Sequence, residues 1–188
     1  KERINEILPQ HFILNIPKHI VSGDFYWIDQ KNGKTLVAVA DCTGHGLSGA
    51  LMHMIGLVFL NQIIKNKNFD NPAEILNELR DLIISSLHQT GSYGETHDGM
   101  DIALCIIDSE NKTVQFAGAN NPLYILNNQS FREIKGDRMP VGINIHYNKP
   151  FTSHQLKVHK GDTLYMFTDG YPDQFGGPKG KKFRYRYF

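Results

Sequence analysis

The chain has 188 residues, 40% apolar and 21% charged, with a formal net charge of +1. That length supports one domain with a substantial core rather than two. The near-zero charge argues against general nucleic-acid binding, which leaves a strong basic excess.

Residues 1–8 read as the end of an upstream helix or linker, stopped near Pro9, with no signal-peptide pattern. Phe12 to Ile16 reads as a short strand and Pro17 to Gly23 as a connection. Asp24 to Asp29 forms the next strand, and Asn32-Gly33 is a hairpin turn. Thr35 to Ala40 is a buried strand by its length and branched residues. The chain then turns through Asp41 to Gly46 into a helix from about Leu47 to Ile64. Its periodic residues are Ala50, Leu51, Met54, Leu57, Val58 and Ile64, and few positions before Asn61 are polar, so burial on most sides is expected. The longest apolar run, Leu51 to Leu60, is interrupted by His53 and Gly56 and falls short of the ~20 apolar residues of a membrane span. No membrane contact by this domain is expected, and a membrane-anchored parent protein stays open.

A second helix has start signals: Asn71 as cap, Pro72 in the first turn and Glu74 three residues after the cap. Ile75, Leu76, Leu79, Ile83 and Leu87 form its apolar stripe. Gln89 to Gly99 is a polar, glycine-bearing loop. Strands follow at Ile102 to Asp108, Thr113 to Ala117, Leu123 to Leu126 and Ser130 to Ile134, separated by turns such as Glu110-Asn111 and Asn127-Asn128. Two more, His154 to Val158 and Thr163 to Phe167, flank the turn Lys160-Gly161-Asp162. Strands, two helices, then strands imply an α+β domain with largely antiparallel sheets. The two cysteines, Cys42 and Cys105, are far apart and in different contexts, which gives no disulfide framework and no Cys-x-x-Cys metal site; a reducing cytoplasm fits best.

Three aspartates share one context. Asp24 follows Ser22-Gly23 at a strand start, Asp41 ends a strand before Gly44 and Gly46, and Asp169 ends a strand before Gly170. Asp before Gly is also a common turn, so each alone has a purely structural reading. Strand-end carboxylates without an accompanying Cys or paired His set suit a hard cation, Mg²⁺ or Mn²⁺. Two such ions bridged by a carboxylate would lower the pKa of a shared water and clamp the oxygens of a displacement at phosphorus.

Several ordered segments carry a resemblance. Val21 to Trp27 (VSGDFYW), Val39 to Gly46 (VADCTGHG) with Ala50-Leu51-Met52, and Phe167 to Gly170 (FTDG) resemble the metal-binding motifs of the SpoIIE/RsbU-like bacterial branch of the metal-dependent protein serine/threonine phosphatases (PPM, type 2C). Asp98 to Ala103, Ala117 to Pro122 and Met139 to Ile143 are similar to further segments in the right order, so the resemblance runs from about Pro9 to Gly180. It implies a four-layer αββα sandwich, two antiparallel sheets flanked by helices, over residues 9–188. It also implies two Mn²⁺ or Mg²⁺ ions. Asp41 would bridge both, the backbone carbonyl of Cys42 would bind one, Asp24 would serve one directly or through water, and Asp169 would bind the other. Attack would be by metal-activated water, with no phospho-enzyme. Members of this family carry a further metal-binding aspartate near the C-terminus, usually in an Asp-Asp pair, and none follows Asp173. The expectation is a domain lacking its C-terminal portion, with weak or no activity by itself. A non-catalytic binding or regulatory module of the same fold is the alternative.

Other residues carry two readings each. His45 either orients a phosphate or donates a proton to the leaving oxygen, or it hydrogen-bonds the turn and holds Asp41. Asp98 and Asp101 either bind an extra, weaker metal ion or cap a loop end and strand. Asn120 either touches substrate, as Asn121 could, or serves a turn. Tyr26 and Trp27 read as core and site wall. The basic, aromatic run Lys179 to Arg186, with Phe183, Tyr185, Tyr187 and Phe188, reads as the start of a helix rather than as a nucleic-acid platform. The resemblance implies a phosphorylated protein as substrate, such as a STAS-type anti-anti-sigma protein, in bacterial signalling; a homodimer is left open.

Overall fold

Asn32 and Gly33 both take positive φ, 52° and 74°, the backbone of a two-residue hairpin turn whose twist suits the strands it joins. The turn sets the register of β1 (Phe25–Lys31) against β2 (Lys34–Cys42), with Lys31 opposite Lys34 and Phe25 opposite Ala40. The computed structural model describes residues 2–66, 70–95, 97–127, 130–178 and 180–184. Helix α1 (Glu2–Ile7) precedes this hairpin and touches β1. Residues 12–16 pair with no strand, contrary to the sequence expectation. Phe12, Leu14 and Ile16 stand exposed there, because no neighbouring strand offers its backbone groups.

Helix α2 (Leu47–Asn66) follows β2, and α3 (Pro72–Ser86) starts as predicted, with Asn71 accepting a hydrogen bond from the Ala73 amide at 2.9 Å and Pro72 in the first turn. The α3 stripe Ile75, Leu76, Leu79 and Ile83 is fully buried. Helix α2 corrects the expectation. Its buried face is Gly49, Met52, Gly56, Leu60, Ile63 and Ile64, whereas Leu47, Leu51, Met54 and Val58 are exposed. The glycines decide the rotation. A Cβ on Gly56 would stand 2.9 Å from Met100 Cε and 3.0 Å from Phe25 Cζ, so the helix presses its bare backbone on the sheet. By length and hydropathy alone α2 would suffice to cross a membrane; here one of its faces is core.

Then come β3 (Gly99–Asp108), β4 (Thr113–Ala119), β5 (Leu123–Asn127), β6 (Ser130–Ile134), β7 (Val141–Gly142), β8 (His154–Lys157) and β9 (Thr163–Tyr165). The larger sheet runs β1-β2-β3-β4-β8, with β7 also on β3; the smaller runs β6-β5-β9; all strand pairs are antiparallel. The turn at Lys160-Gly161-Asp162 therefore carries the chain from one sheet to the other instead of closing a hairpin. Asn128 of the predicted Asn127-Asn128 turn lies outside the described residues. Two short strands that the sequence did not announce, β10 (Phe175–Gly176) and β11 (Lys181–Lys182), pair with each other. Lys181 and Lys182 are thus strand rather than helix; Lys179 and residues 185–188 of the basic run lie outside the described residues.

Strand alternation sorts the core into two layers. Leu36, Ala38, Ala40 and Cys42 of β2 and Met100, Ile102, Leu104 and Ile106 of β3 pack with Phe25, Trp27 and the faces of α2 and α3. The intervening residues Ala103, Cys105 and Ile107, with Val114 and Phe116 of β4, meet Leu123, Ile125, Ile134 and Leu164 of the smaller sheet. The result is the α+β arrangement expected, two antiparallel sheets face to face with helices outside. The described residues build three of its four layers.

Candidate active site

The same alternation fixes where the acidic residues go. Asp41 and Asp101 are direct cross-strand partners of β2 and β3, and both have the parity of the residues facing the smaller sheet. They stand where the layer between the sheets opens. Asp24 comes just before β1, on the opposite parity from Phe25. Asp169 follows β9, the strand of the smaller sheet that leads back to this opening. Four segments distant in sequence thus bring four carboxyl groups to one end of the sandwich.

Asp41 is central. Its carboxyl is within hydrogen-bonding reach of both Asp24 and Asp169, and it is pushed up to about 8, first by burial and then by the charges of Asp24 and Asp169. Asp101 is also raised, by burial first, with the charge of Asp169 adding and a hydrogen bond from Asn120 opposing. Asp24 is held on two sides: its amide donates to Ser22 Oγ at 3.1 Å, and its Oδ2 accepts from the Thr168 hydroxyl at 2.6 Å. Among the described residues no three His, Cys, Asp or Glu side chains are already disposed around a vacant ion position. The carboxyls lean on one another and on Thr168 instead. Gathering like charges in a partly desolvated place is unfavourable without a cation, and the all-oxygen donor set suits Mg²⁺ or Mn²⁺.

The turn after Asp41 is built on glycine. A Cβ on Gly49, in the first turn of α2, would lie 2.8 Å from the Gly44 carbonyl oxygen and 3.3 Å from Gly23 Cα. Helix α2, the Asp41 turn and the loop before Asp24 therefore meet backbone to backbone. The Cys42 carbonyl belongs to this contact, its oxygen 3.2 Å from where a Gly23 Cβ would be. The Cys42 thiol points into the core and is pushed up to about 12 by burial and by the charges of Asp41 and Asp24.

Other predicted residues separate. His45 is exposed, its carbonyl accepts from Ser48 Oγ at 3.1 Å, and its ring has no hydrogen-bond partner among the described residues. Asp98 accepts from Thr43 Oγ1 at 3.3 Å, while Gly99 donates to that same hydroxyl at 3.0 Å, so Thr43 ties the Asp41 turn to the start of β3. Asn120 takes a left-handed backbone, φ 56°, and its Nδ2 donates to Asp101 Oδ1 at 2.8 Å. The buried Asn121 has no partner for its Nδ2 among the described residues. Trp27 is core, as expected, and donates to Asn61 Oδ1 at 3.2 Å.

Three contributors escaped the sequence reading. Thr168 steadies Asp24. His53 donates from Nδ1 to the Ser22 carbonyl at 3.0 Å while stacked on Phe25 at 4.8 Å, bracing the loop that carries Asp24. The signal for His53 was a single polar ring inside the Leu51 to Leu60 run. Gly49 completes Gly44-His45-Gly46-Leu47-Ser48-Gly49, a spacing of glycines in which the last permits close helix packing; here it follows a strand of an antiparallel sheet, so a dinucleotide-binding unit is not formed.

The fold is that of the PP2C phosphatases. The chain superposes on the SiaA-PP2C domain of Pseudomonas aeruginosa with a TM-score of 0.85 and 32% identity, covering 98% of this chain and 71% of that one. Its sequence matches the Stage II sporulation protein E (SpoIIE) family over residues 31–186, and the chain belongs to that family. The structure of the PP2C phosphatase domain with a regulatory fragment of SpoIIE from Bacillus subtilis matches at TM-score 0.66 and 19% identity, over 82% of this chain and 43% of that one. RsbX in complex with magnesium matches at 0.61 and 15%, over 84% and 71%. No curated protein matches the chain significantly.

Proposed function

We propose that the chain hydrolyses phosphoserine or phosphothreonine on a partner protein, using two Mg²⁺ or Mn²⁺ ions held by Asp24, Asp41, Asp169 and the carbonyl of Cys42. The observation that carries this reading is Asp41 pressed between Asp24 and Asp169, three carboxyls from three distant segments at the open end of the sandwich. When bound, such ions supply a water of lowered pKa and neutralise phosphate oxygens. The magnesium described in RsbX, which shares the fold, supports that choice of ion.

The chain's own residues then have distinct tasks. Asp41, within hydrogen-bonding reach of both Asp24 and Asp169, would suit the bridging role. Thr168 and Ser22 hold Asp24 at a fixed angle. Asp101, steered by Asn120, stands beside Asp169 and suits an extra, weaker ion near the substrate. Asp98, held by Thr43, braces the turn and is less suited to an ion than Asp101. His45, whose exposed ring is free of hydrogen bonds among the described residues, would be available to a phosphate or a leaving oxygen, the alternative being a purely structural part in the turn after Asp41. The substrate would be a small phosphorylated signalling protein, such as a STAS-type one, and the setting the bacterial cytoplasm.

The test is Mn²⁺-dependent release of phosphate from a phosphoprotein and from p-nitrophenyl phosphate. Ion-dependent turnover that Asp41→Asn lowers by about 10³-fold or more supports the reading, an effect of the size expected when a centre acting as a unit is broken. Turnover independent of the ion, or retained by Asp41→Asn, overturns it. Ion binding with no turnover of either substrate supports the regulatory module instead.

A further inference from the structure

A groove of about 330 Å³ lies among β5, β6 and the segment after β6; its walls include Asn120, Pro122, Tyr124, Glu133, Lys135 and Arg138. It touches the site, because Asn120 is the residue that donates to Asp101 at 2.8 Å. Its volume is at the low end for ligand pockets, enough for one or two side chains of a larger partner.

The groove carries more positive than negative charge. Lys135 and Arg138 are exposed, and neither has an ion pair or side-chain hydrogen bond among the described residues. Glu133 is already engaged, accepting from the Tyr124 hydroxyl at 3.5 Å. The backbone that carries Arg138 is fixed from several directions. Asp137 donates to the Gly118 carbonyl and accepts from the Asn120 amide, both at 2.8 Å, and its carboxylate accepts from the Thr152 amide at 2.7 Å and hydroxyl at 3.0 Å. The backbone beside Arg138 is thus already ordered before an anion arrives, so the freedom lost on binding is that of the side chains. Lys135 and Arg138 outnumber Glu133 along the wall, so the groove attracts a negatively charged group of a partner.

We infer that this groove binds an acidic side chain of the partner protein, close in sequence to the phosphorylated residue. The inference rests on the reading of the chain as a phosphoprotein phosphatase. Lys135 and Arg138 are then specificity residues that touch the partner away from the reacting phosphate.

Two phosphoserine peptides decide it, one with Asp and Glu flanking the phosphoserine and one with Ala in their place, measured beside p-nitrophenyl phosphate. The wild type is expected to prefer the acidic peptide by about tenfold in kcat/KM, through KM, and to lose that preference at high salt. Lys135→Ala/Arg138→Ala should bring the ratio of the two peptides near one, and Lys135→Glu/Arg138→Glu should invert it. Both side chains are exposed, and an unchanged thermal midpoint confirms folding. No preference in the wild type, or a preference kept by both double variants, overturns the inference. Anisotropy of the same two labelled peptides, without turnover, reads the groove even if no substrate is hydrolysed. Selective binding of the acidic peptide without turnover would sink the phosphatase reading and keep the groove, and equal binding with ion-dependent p-nitrophenyl phosphate hydrolysis would do the reverse.

Discussion

The Thr168 hydroxyl donates to Asp24 Oδ2 at 2.6 Å, joining two segments 144 residues apart. One lies before β1 of the larger sheet and the other after β9 of the smaller, so this bond ties the two sheets together beside Asp41. Thr168→Val keeps the shape and removes the donor. If Asp24 serves an ion, the loss of the group that orients it should weaken Mn²⁺ activation by ~10-fold or more, with little change in melting temperature. Mn²⁺ titrations of activity and of heat on binding check this; an unchanged ion dependence would remove Thr168 from the site.

Asp41 supplies a prediction about pH in the metal-free protein. Its carboxyl is pushed up to about 8 by burial and by the charges of Asp24 and Asp169, far above the ordinary value of ~3.9 for a carboxyl of this type. A raised acid favours the folded state fully only below its unfolded pKa, and the advantage is lost as pH rises through the folded value. The wild type in EDTA should therefore lose stability relative to Asp41→Asn between about pH 4 and pH 8. Added Mn²⁺ should restore the wild type at pH 8 and not the variant. Urea unfolding at pH 5 and pH 8.5, with and without the ion, makes the comparison.

Much of this site was legible because strand ends are written locally. Asp24 sits just before a strand and Asp41 and Asp169 where apolar runs stop, each with glycine nearby, and the alternation along β2 and β3 puts Asp41 and Asp101 on one face. What could not be read is which partner each segment meets. Residues 12–16 are a short, mostly apolar run of the kind that forms strands and yet form none, because pairing depends on a neighbour that the sequence does not name. The Leu47 to Val58 positions have a helical stripe, yet the buried face is set by Gly49 and Gly56, whose value is the space they leave rather than any apolar surface. Thr168 and His53 act across 144 and 31 residues of sequence, and local spacing carries no trace of such contacts.

Gly49 tests that account of α2. In Gly49→Ala the new methyl would meet the Gly44 carbonyl oxygen at 2.8 Å and its carbon at 3.2 Å, both backbone atoms that cannot rotate away. Gly49 is helical, so alanine would favour the helix itself by about 1 kcal/mol; steric displacement should outweigh this, with a net loss of ~1–3 kcal/mol as in other overpacked sites. Because the displaced atoms belong to the turn after Asp41, Mn²⁺ affinity should fall as well. A variant as stable as the wild type with unaltered ion binding would show that the helix and turn can separate without consequence.

Asn120 and Asp101 separate a positioning role from a direct one. The amide of Asn120 opposes the rise of the Asp101 carboxyl, so its removal should let Asp101 titrate at still higher pH. Asn120→Gly is the appropriate change, since glycine accepts the left-handed φ of 56° without strain while alanine would add a backbone cost of ~1–2 kcal/mol. Carbon-13 NMR of the metal-free protein, with Asp101 assigned through Asp101→Asn, should show the upward shift. In turnover, Asp101→Asn should weaken ion dependence and lower the rate by ~10-fold to 100-fold, well short of the loss in Asp41→Asn. Equal losses in the two variants would mean that Asp101 belongs to the same bridged centre as Asp41 rather than standing beside it.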